Sequence, residues 1–351
     1  MPNLFTESKP MSERPYIRDF VANQRLEGVF AIQNAQLGTT KNGKPFLKCL
    51  IADKTGRTPC RMWSITEEYF AKLPTDGFVF VKGNTQPYQG EMQVIADQVK
   101  PHLQPTAAEL AELLPATENN IDQMFTEVTT LLHSIKDPAI NALAMTYLSD
   151  AELMDRFAQA PAAMALHHAY LGGLLEHTLG LMKAADVLLP LYPKLSRDVV
   201  LMGLFLHDLG KVEELTWLSG FGYSADGQLV GHIGRGAIML DRKIQETQAA
   251  HDDGTPGTPV PQAVQMVLTH IVYSHHEKPE FGALKVPSTP EAIFVSLLDN
   301  LDAKMNMSLA ATRPNQAAAV DLGGHFTEKV WALGTKLYRP DPTTVPDEVA
   351  E

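Results

Sequence analysis

Two ionisable side chains, His207 and Asp208, stand side by side at the end of the apolar run VVLMGLFL, just ahead of Gly210 and Lys211. Burying an imidazole and a carboxylate among Leu, Met and Phe is costly unless a partner satisfies both, and a divalent cation does so. On this stretch alone a solvent-facing helix end with Gly210 as its cap explains the residues equally well. The other histidines separate the two readings. Nine of the 12 lie between His167 and His276, at His167-His168, His177, His207, His232, His251, His270 and His275-His276, and Asp299 and Asp302 follow in LLDNLDAKM. They interrupt segments rich in Leu, Ile, Val and Met, where a hydrophobic bundle has little use for titratable rings. Imidazole mixed with carboxylate suits borderline ions such as Mn, Fe, Co and Zn, whereas a closed structural zinc site would draw on thiolates. The donors therefore predict an open, hydrolytic centre, where a divalent ion lowers the pKa of a water and polarises the phosphoryl oxygen under attack.

Helices must carry these groups. From Ile121 onward the segments IDQMFTEVTTLLHSI, PAINALAMTYLSD and AELMDRFAQAP place apolar residues at three- and four-residue intervals. Residues 121–338 are expected to form one helical domain, ending in an amphipathic helix over FTEKVWALGTKLY and followed by a disordered Pro/Asp-rich tail over 339–351. LSGFGYSADGQLVG (Leu218 to Gly231) is expected as a hairpin or loop at the mouth of the site. Ahead of the helices the pattern is β. LEGVFAIQNAQL, PFLKCLIAD and RTPCRMW are separated by the turns KNGK and DKTG; a short helix over Thr66 to Lys72 follows, then GFVFVKG and EMQVIAD. Five strands with a helix between the third and fourth is the order of an OB-fold. The boundaries read as a flexible lead-in over 1–23, the barrel over 24–102 and a Pro/Ala-rich linker containing one short helix over 103–120.

The 351 residues are comfortable for two domains, and 44% hydrophobic against 20% charged content is that of a soluble globular protein. No apolar run approaches the roughly 18 to 20 residues a membrane span needs, and MPNLFTESKPMSERP has no signal-peptide core, so a cytoplasmic protein is expected. Cys49 and Cys60 are then free thiols. The formal net charge of -12 argues against nucleic-acid binding through a large basic surface. That acidity belongs to the later part, because between Leu26 and Lys100 the bases slightly outnumber the acids. In the barrel, Phe46, Trp63, Phe80 and Tyr88 could stack bases, while Lys48, Arg57, Arg61 and Lys82 could track phosphates. Filling of the barrel by the aromatics and solvation by the bases explains each residue singly at least as well.

His177, then His207-Asp208 in HDLGK, then Asp299 resembles the H…HD…D signature of the HD-domain metal-dependent phosphohydrolases, an all-helical superfamily. The resemblance implies His177, His207, Asp208 and Asp299 as ligands of a first ion. GHI at Gly231 to Ile233 and SHHE at Ser274 to Glu277 resemble the further histidines that let some HD proteins hold a second ion, which makes His232, His275 and His276 candidates. In order, HHAYLGGLLEHT, FLHDLGK, LVGHI, SHHEKPEFG and LLDNLDAKM behind a barrel containing KNGKPFL and DKTG are similar to the YhaM-type 3′-to-5′ exoribonuclease family, over roughly Gln24 to Met307. Glu277 departs from that pattern, which has glycine after the paired histidines.

The fold class expected is multidomain, β then all-α: a five-stranded OB-fold barrel followed by a helical HD domain. The function expected is a metal-dependent 3′-to-5′ exonuclease of single-stranded nucleic acid, RNA before DNA, using one or two divalent ions, Mn first and Co, Fe, Mg or Zn as alternatives. Asp208, Lys211 and Arg235 are the catalytic candidates, and His168, Lys48, Arg61, Trp63, Lys82 and Tyr88 the candidates for strand contact. Lys211 could equally be a solvated helix-end lysine, and Asp302 is better explained by capping or pairing with Lys304 than by ligation. His270, five residues before His275, points elsewhere on a helix and reads as a supporting residue. Competing readings are a phosphohydrolase of nucleotides or cyclic dinucleotides and a non-catalytic nucleic-acid-binding regulator. The sequence specifies no oligomer interface and leaves a homo-oligomer open.

Overall fold

The computed structural model describes residues 14–40, 42–75, 77–88, 91–164, 168–217, 221–249, 255–313, 325–327, 329–341 and 343. The lead-in before Arg14, His167, His251, residues 218–220 and most of the tail after Arg339 lie outside the described residues. The chain divides into two compact units, one from Met1–Ala116 and Met307–Glu351 with the short piece Leu218–Gly220, the other from Thr117–Trp217 and Phe221–Asn306.

The first unit is built on β1 (Arg25–Thr39), β2 (Pro45–Asp53), β3 (Gly56–Trp63), α1 (Glu67–Phe70), β4 (Gly77–Tyr88) and β5 (Glu91–Pro101). The strands close into a barrel in the order β1-β2-β3-β5-β4, with β3 and β5 joined in parallel through Cys60↔Val94 and Arg61↔Ile95. The expected strand count and helix position hold. Alternation sends Phe30, Ile32, Leu47, Ile51, Val79 and Val99 into the core. The long β1 bends through a register shift between Gln33 and Gln36, at Asn34 with φ +54°, which lets one strand pair with both β2 and β4. Cys49 and Cys60 are register partners, buried and unbridged.

The lead-in departs from the sequence expectation. Residues 14–20 are part of the barrel: Ile17 and Phe20 are buried in its core, and the Arg14 guanidinium pairs with Asp53 at 2.8 Å while lying 4.3 Å over the Phe30 ring. Asp53 also accepts from the Ile17 amide at 3.0 Å, so one buried carboxylate ties the lead-in to the β2–β3 turn. The short helix expected in the 103–120 linker is α2 (Ala107–Leu113), started by a reciprocal capping box between Thr106 and Glu109 and anchored by the buried Leu113. Its Glu112 bonds Lys54 at 2.9 Å and also Tyr16.

The second unit runs through α3 (Ile121–His133), α4 (Pro138–Leu148), α5 (Ala151–Gln159), α6 (Gly173–Leu188), α7 (Arg197–Leu206), α8 (Lys211–Glu214), the two-residue strands β6 (Leu215–Thr216) and β7 (Gly222–Tyr223), α9 (Ala225–Leu229), α10 (Gly231–Gln248), α11 (Gln262–Ser274) and the greater part of α12 (Pro290–Thr312). Side chains of Asn120, Asp137, Asp150, Ser196 and Ser224 cap helix N-termini, which marks where the sequence starts each one. All eight residues from Val199 to Leu206 are buried, and Phe205 meets Tyr147 and Phe157 edge-on at ring separations of 5.6 Å. Among the described residues no helix is long and apolar enough to cross a membrane.

The amphipathic helix expected over FTEKVWALGTKLY does not form. Bridges Phe326↔Tyr338 and Val330↔Thr335 enclose a 3₁₀ turn at Trp331–Leu333, closed by Gly334 at φ +71°. Branched Thr327, Val330 and Thr335 suit the extended arms, and Gly334 suits the left-handed turn between them. This stretch groups with the first unit, so the helical unit ends at Asn306 rather than at residue 338.

Candidate metal centre

Five helices deliver the ligand candidates, α6, α7, α10 and α11 from an end or the first turns and α12 from its middle. His177 stands in the second turn of α6, which Gly172 opens at φ +78°. His207 caps α7, with Asp208 in the tight turn before α8. His232 is in the first turn of α10, His275 and His276 follow α11, and Asp299 and Asp302 face one way from α12. His177, His207, Asp208 and His275 are at most 3% exposed.

His177, His207, Asp208 and Asp299 converge. His177 Nε2 lies 3.3 Å from His207 Nε2, 3.3 Å from Asp299 Oδ1 and 3.7 Å from Asp208 Oδ2; His207 Nε2 lies 3.4 Å from Asp208 Oδ2 and 3.9 Å from Asp299 Oδ1. Ligand atoms bonded at about 2.1 Å to one ion stand at such separations. A second group forms around the other oxygen of Asp208. Oδ1 is 3.6 Å from His232 Nε2 and 3.5 Å from His275 Nε2, with His276 completing the set. Asp208 Oδ1, His232 Nε2 and His275 Nε2 are buried without a hydrogen-bond partner, a combination that is costly unless a cation sits between them.

The remaining ring nitrogens explain why the Nε2 atoms are available. The Nδ1–H of His207 donates to the Leu204 carbonyl (2.7 Å), that of His275 to Val272 (2.9 Å), that of His276 to Phe281 (2.9 Å), that of His232 to Glu214 (3.0 Å) and that of His177 to Asp302 (2.8 Å). All five partners are pure acceptors, which fixes each proton on Nδ1 and turns each Nε2 lone pair inward. Burial, then the neighbouring His275 and His232, pushes the His276 pKa down to about 3, so that ring is neutral. Burial opposes protonation of His177 too, but hydrogen bonds to Asp299 and Asp302 outweigh it and raise its pKa to about 9. Burial also works against ionisation of Asp208 and Asp299. Lys211 and His207 for the one and His177 for the other nevertheless hold both far below the usual carboxylate range.

Lys211 Nζ is 2.6 Å from Asp208 Oδ2, a charge at the site rather than a solvated helix end. Arg235 is engaged elsewhere: its guanidinium makes two hydrogen bonds to Asp226 of α9, so as a catalytic cation it is already spoken for. His168 is 6% exposed, its ring held between Tyr170 and Asp302, and this burial corrects its expected place on the strand path. Asp302 accepts from His168 and His177 instead of pairing with Lys304. His270 Nε2 accepts from the Ser288 amide at 2.8 Å, a supporting role away from the ligands.

Nothing in the sequence singled out Glu214, whose carboxylate receives both the backbone N–H and the Nδ1–H of His232. Nor did it reveal that Gly210 is a point of close approach. A Cβ there would stand 2.0 Å from the His232 carbonyl oxygen and 2.7 Å from the Gly236 nitrogen. Glu277 holds φ +68°, a conformation that favours glycine, with its carboxylate accepting from Asn300, next to Asp299, at 3.3 Å.

On the barrel, cross-strand rows bring the expected contact residues together. Phe46 pairs with Trp63, rings 5.0 Å apart, and Lys48 pairs with Arg61 in the adjacent row. The Arg61 guanidinium lies 5.1 Å over the Tyr88 ring, and Trp63 and Tyr88 are each 47% exposed. These rings therefore line the outside rather than fill the barrel. Lys82 stands apart, in an ion pair with Glu27 at 2.8 Å.

The HD-domain family matches residues 174–304 and the OB-fold nucleic acid binding domain family residues 29–101. Among curated proteins, the 3′-5′ exoribonuclease YhaM of Geobacillus sp. is 31% identical over 325 residues, covering 92% of this chain and 94% of that protein. Those of Halalkalibacterium halodurans and Shouchella clausii are each 30% identical, over 92% of this chain and 95% and 96% of theirs.

Proposed function

The chain belongs to the YhaM 3′-5′ exoribonuclease family, and from that membership together with the site's geometry we propose that it removes nucleotides from the 3′ end of single-stranded RNA at a two-ion centre in the cytoplasm. The observation that carries this reading is the pair of donor sets sharing Asp208, three donors from other residues beside its Oδ2 and three beside its Oδ1. Histidine and carboxylate donors without thiolate favour manganese, with cobalt or iron next. Divalent ions held there supply Lewis-acid polarisation of the scissile phosphoryl group and a water acidic enough to attack near neutral pH.

The side chains do the rest. Lys211, anchored by Asp208, offers a fixed positive charge to a non-bridging phosphoryl oxygen as charge builds on phosphorus. The hydrogen-bonded Nδ1–H groups hold the five rings in one tautomer, so no reorganisation is needed during the reaction. The Phe46, Trp63 and Tyr88 rings offer stacking faces for successive bases, and Lys48 and Arg61 offer charge for the backbone. Two buried, unbridged cysteines fit a reducing compartment.

The test is a metal titration of the full chain followed by incubation with Mn²⁺ and a 5′-labelled single-stranded RNA. Progressive shortening, with immediate release of labelled mononucleotide from a 3′-labelled copy, is expected. Asp208→Ala should lower turnover at least 10²-fold while strand binding by the barrel persists. Hydrolysis of free nucleotides with RNA left intact, or full activity in Asp208→Ala, refutes the assignment.

A further inference from the structure

Behind the metal-facing side of His177, its partner Asp302 is itself held by a second layer that the reading so far does not use. His177 Nδ1 and His168 Nε2 both meet the same oxygen of Asp302, at 2.8 and 3.1 Å, and the two rings stand 5.4 Å apart. His168 Nδ1 is 2.7 Å from the Tyr170 hydroxyl. With Asp302 accepting from both imidazoles, His168 carries its proton on Nε2 and takes the tyrosine hydroxyl proton on Nδ1, so donors and acceptors match along Tyr170, His168, Asp302 and His177.

The backbone is shaped to deliver His168 to this place. The residue holds φ +49°, uncommon for a side chain with a Cβ. Its carbonyl oxygen accepts from the Ala162 and Tyr170 amides at 3.0 and 2.9 Å. Gly173 lets that oxygen come close, since a Cβ there would stand 2.1 Å away. A strained residue so firmly held, with its buried ring turned onto a ligand's own partner, is a feature of functional sites.

We propose that Asp302 and His168 are a positioning pair: Asp302 fixes the orientation and tautomer of His177 for the first ion, and His168, braced by Tyr170, fixes Asp302. The inference rests on the metal-centre reading above, though not on the identity of the substrate. The competing arrangement, a third ion between His168, His177 and Asp302, would require His177 to surrender its second ring proton while its Nε2 faces the first position. Two N–H donors already occupy the Asp302 oxygen.

The experiment is a titration of Co²⁺ into the metal-free full chain, followed by calorimetry and visible absorption, for the wild type, Asp302→Ala, Asp302→Asn, His168→Ala and the Ala/Ala double variant. Asp302→Ala should weaken the first ion about 10- to 100-fold and shift its absorption band, with the second ion unaffected. Asp302→Asn, which keeps an acceptor for the His177 N–H, should recover most of the loss. His168→Ala should cost less than Asp302→Ala, and the double variant no more than Asp302→Ala, because His168 acts only through the carboxylate. In RNA cleavage kcat should fall with KM unchanged. The proposal is overturned if Asp302→Ala fills both positions with wild-type affinity and spectrum, if the losses of the two single variants add, or if the wild type takes three ions and the variant two. Ions taken up as expected by a protein that leaves RNA untouched would refute the exonuclease reading and leave this one standing.

Discussion

Replacing Gly210 by alanine isolates one distance on which the second ion position depends. Gly210 has φ −60° and ψ −16°, a conformation alanine adopts freely, so no backbone strain enters; on that ground alone the change should stabilise the fold by about 0.4–1 kcal/mol. Sterics run the other way. The new Cβ would begin 2.0 Å from the His232 carbonyl oxygen, where ordinary contact starts at 3.4 Å, and backbone atoms on both sides leave no flexible side chain to give way. The start of α10 must therefore withdraw by more than an ångström. His232 Nε2 already stands 3.6 Å from Asp208 Oδ1, and two ligands bonded at about 2.1 Å can share an ion only up to about 4.2 Å apart. The shift carries the pair beyond that limit. His177, His207 and Asp299 are not on α10 and keep their separations. Metal analysis after removal of free Mn²⁺ should give one ion per chain instead of two, with RNA turnover down about 10²-fold. Overpacking should cost about 1–3 kcal/mol in urea denaturation. Two tightly held ions and wild-type turnover in a folded Gly210→Ala protein would refute the reasoning.

Other outcomes follow from different parts of the molecule. Asp53→Ala leaves the Arg14 guanidinium buried and uncompensated, and the urea transition should show a loss of about 3–5 kcal/mol. In the metal-free chain the His177 pKa of about 9 lies above the ordinary 6.5. Its contribution to stability should therefore be complete below about pH 6.5 and disappear as pH rises through about 9, readable from denaturation in chelator at several pH values. Because an ion must displace that proton, affinity at the first position should climb across the same interval, with proton uptake by the buffer as the check. Trp63→Ala with Tyr88→Ala should weaken binding of a single-stranded oligonucleotide by about 1–3 kcal/mol per lost stack, measured by anisotropy; unchanged binding excludes the strip.

Much of this architecture is written locally. Asn42-Gly43 and the Asp53–Gly56 turn announce the hairpins, and Gly43 takes the φ of +76° that such a turn requires. His207-Asp208 after eight apolar residues announces a buried polar group in need of a partner. What stayed hidden depends on partners distant in sequence. Arg14 reads as part of a loose terminus because Asp53 lies 39 positions away. Asp302 resembles a surface carboxylate until folding brings His168, 134 positions earlier, against it. Glu214 likewise gains its meaning from His232 across the β6–β7 excursion. The Phe326–Tyr338 stretch fits both a helical and an extended period, and Gly334 decides it only once the bridges form. The Thr106-x-x-Glu109 capping box, by contrast, marks the start of the short linker helix locally.

Asp208 faces both ion positions, one oxygen to each, and this sharing makes the two electrically unequal. The first also has Asp299 to offset an incoming dication, whereas the second has otherwise only imidazole donors. With two ions bound as proposed, loading would then be sequential, with a span of ion concentrations over which chains carry one cation and await the other. Across that span, RNA decay would follow the free-ion level of its surroundings, and the enzyme would double as a gauge of divalent supply.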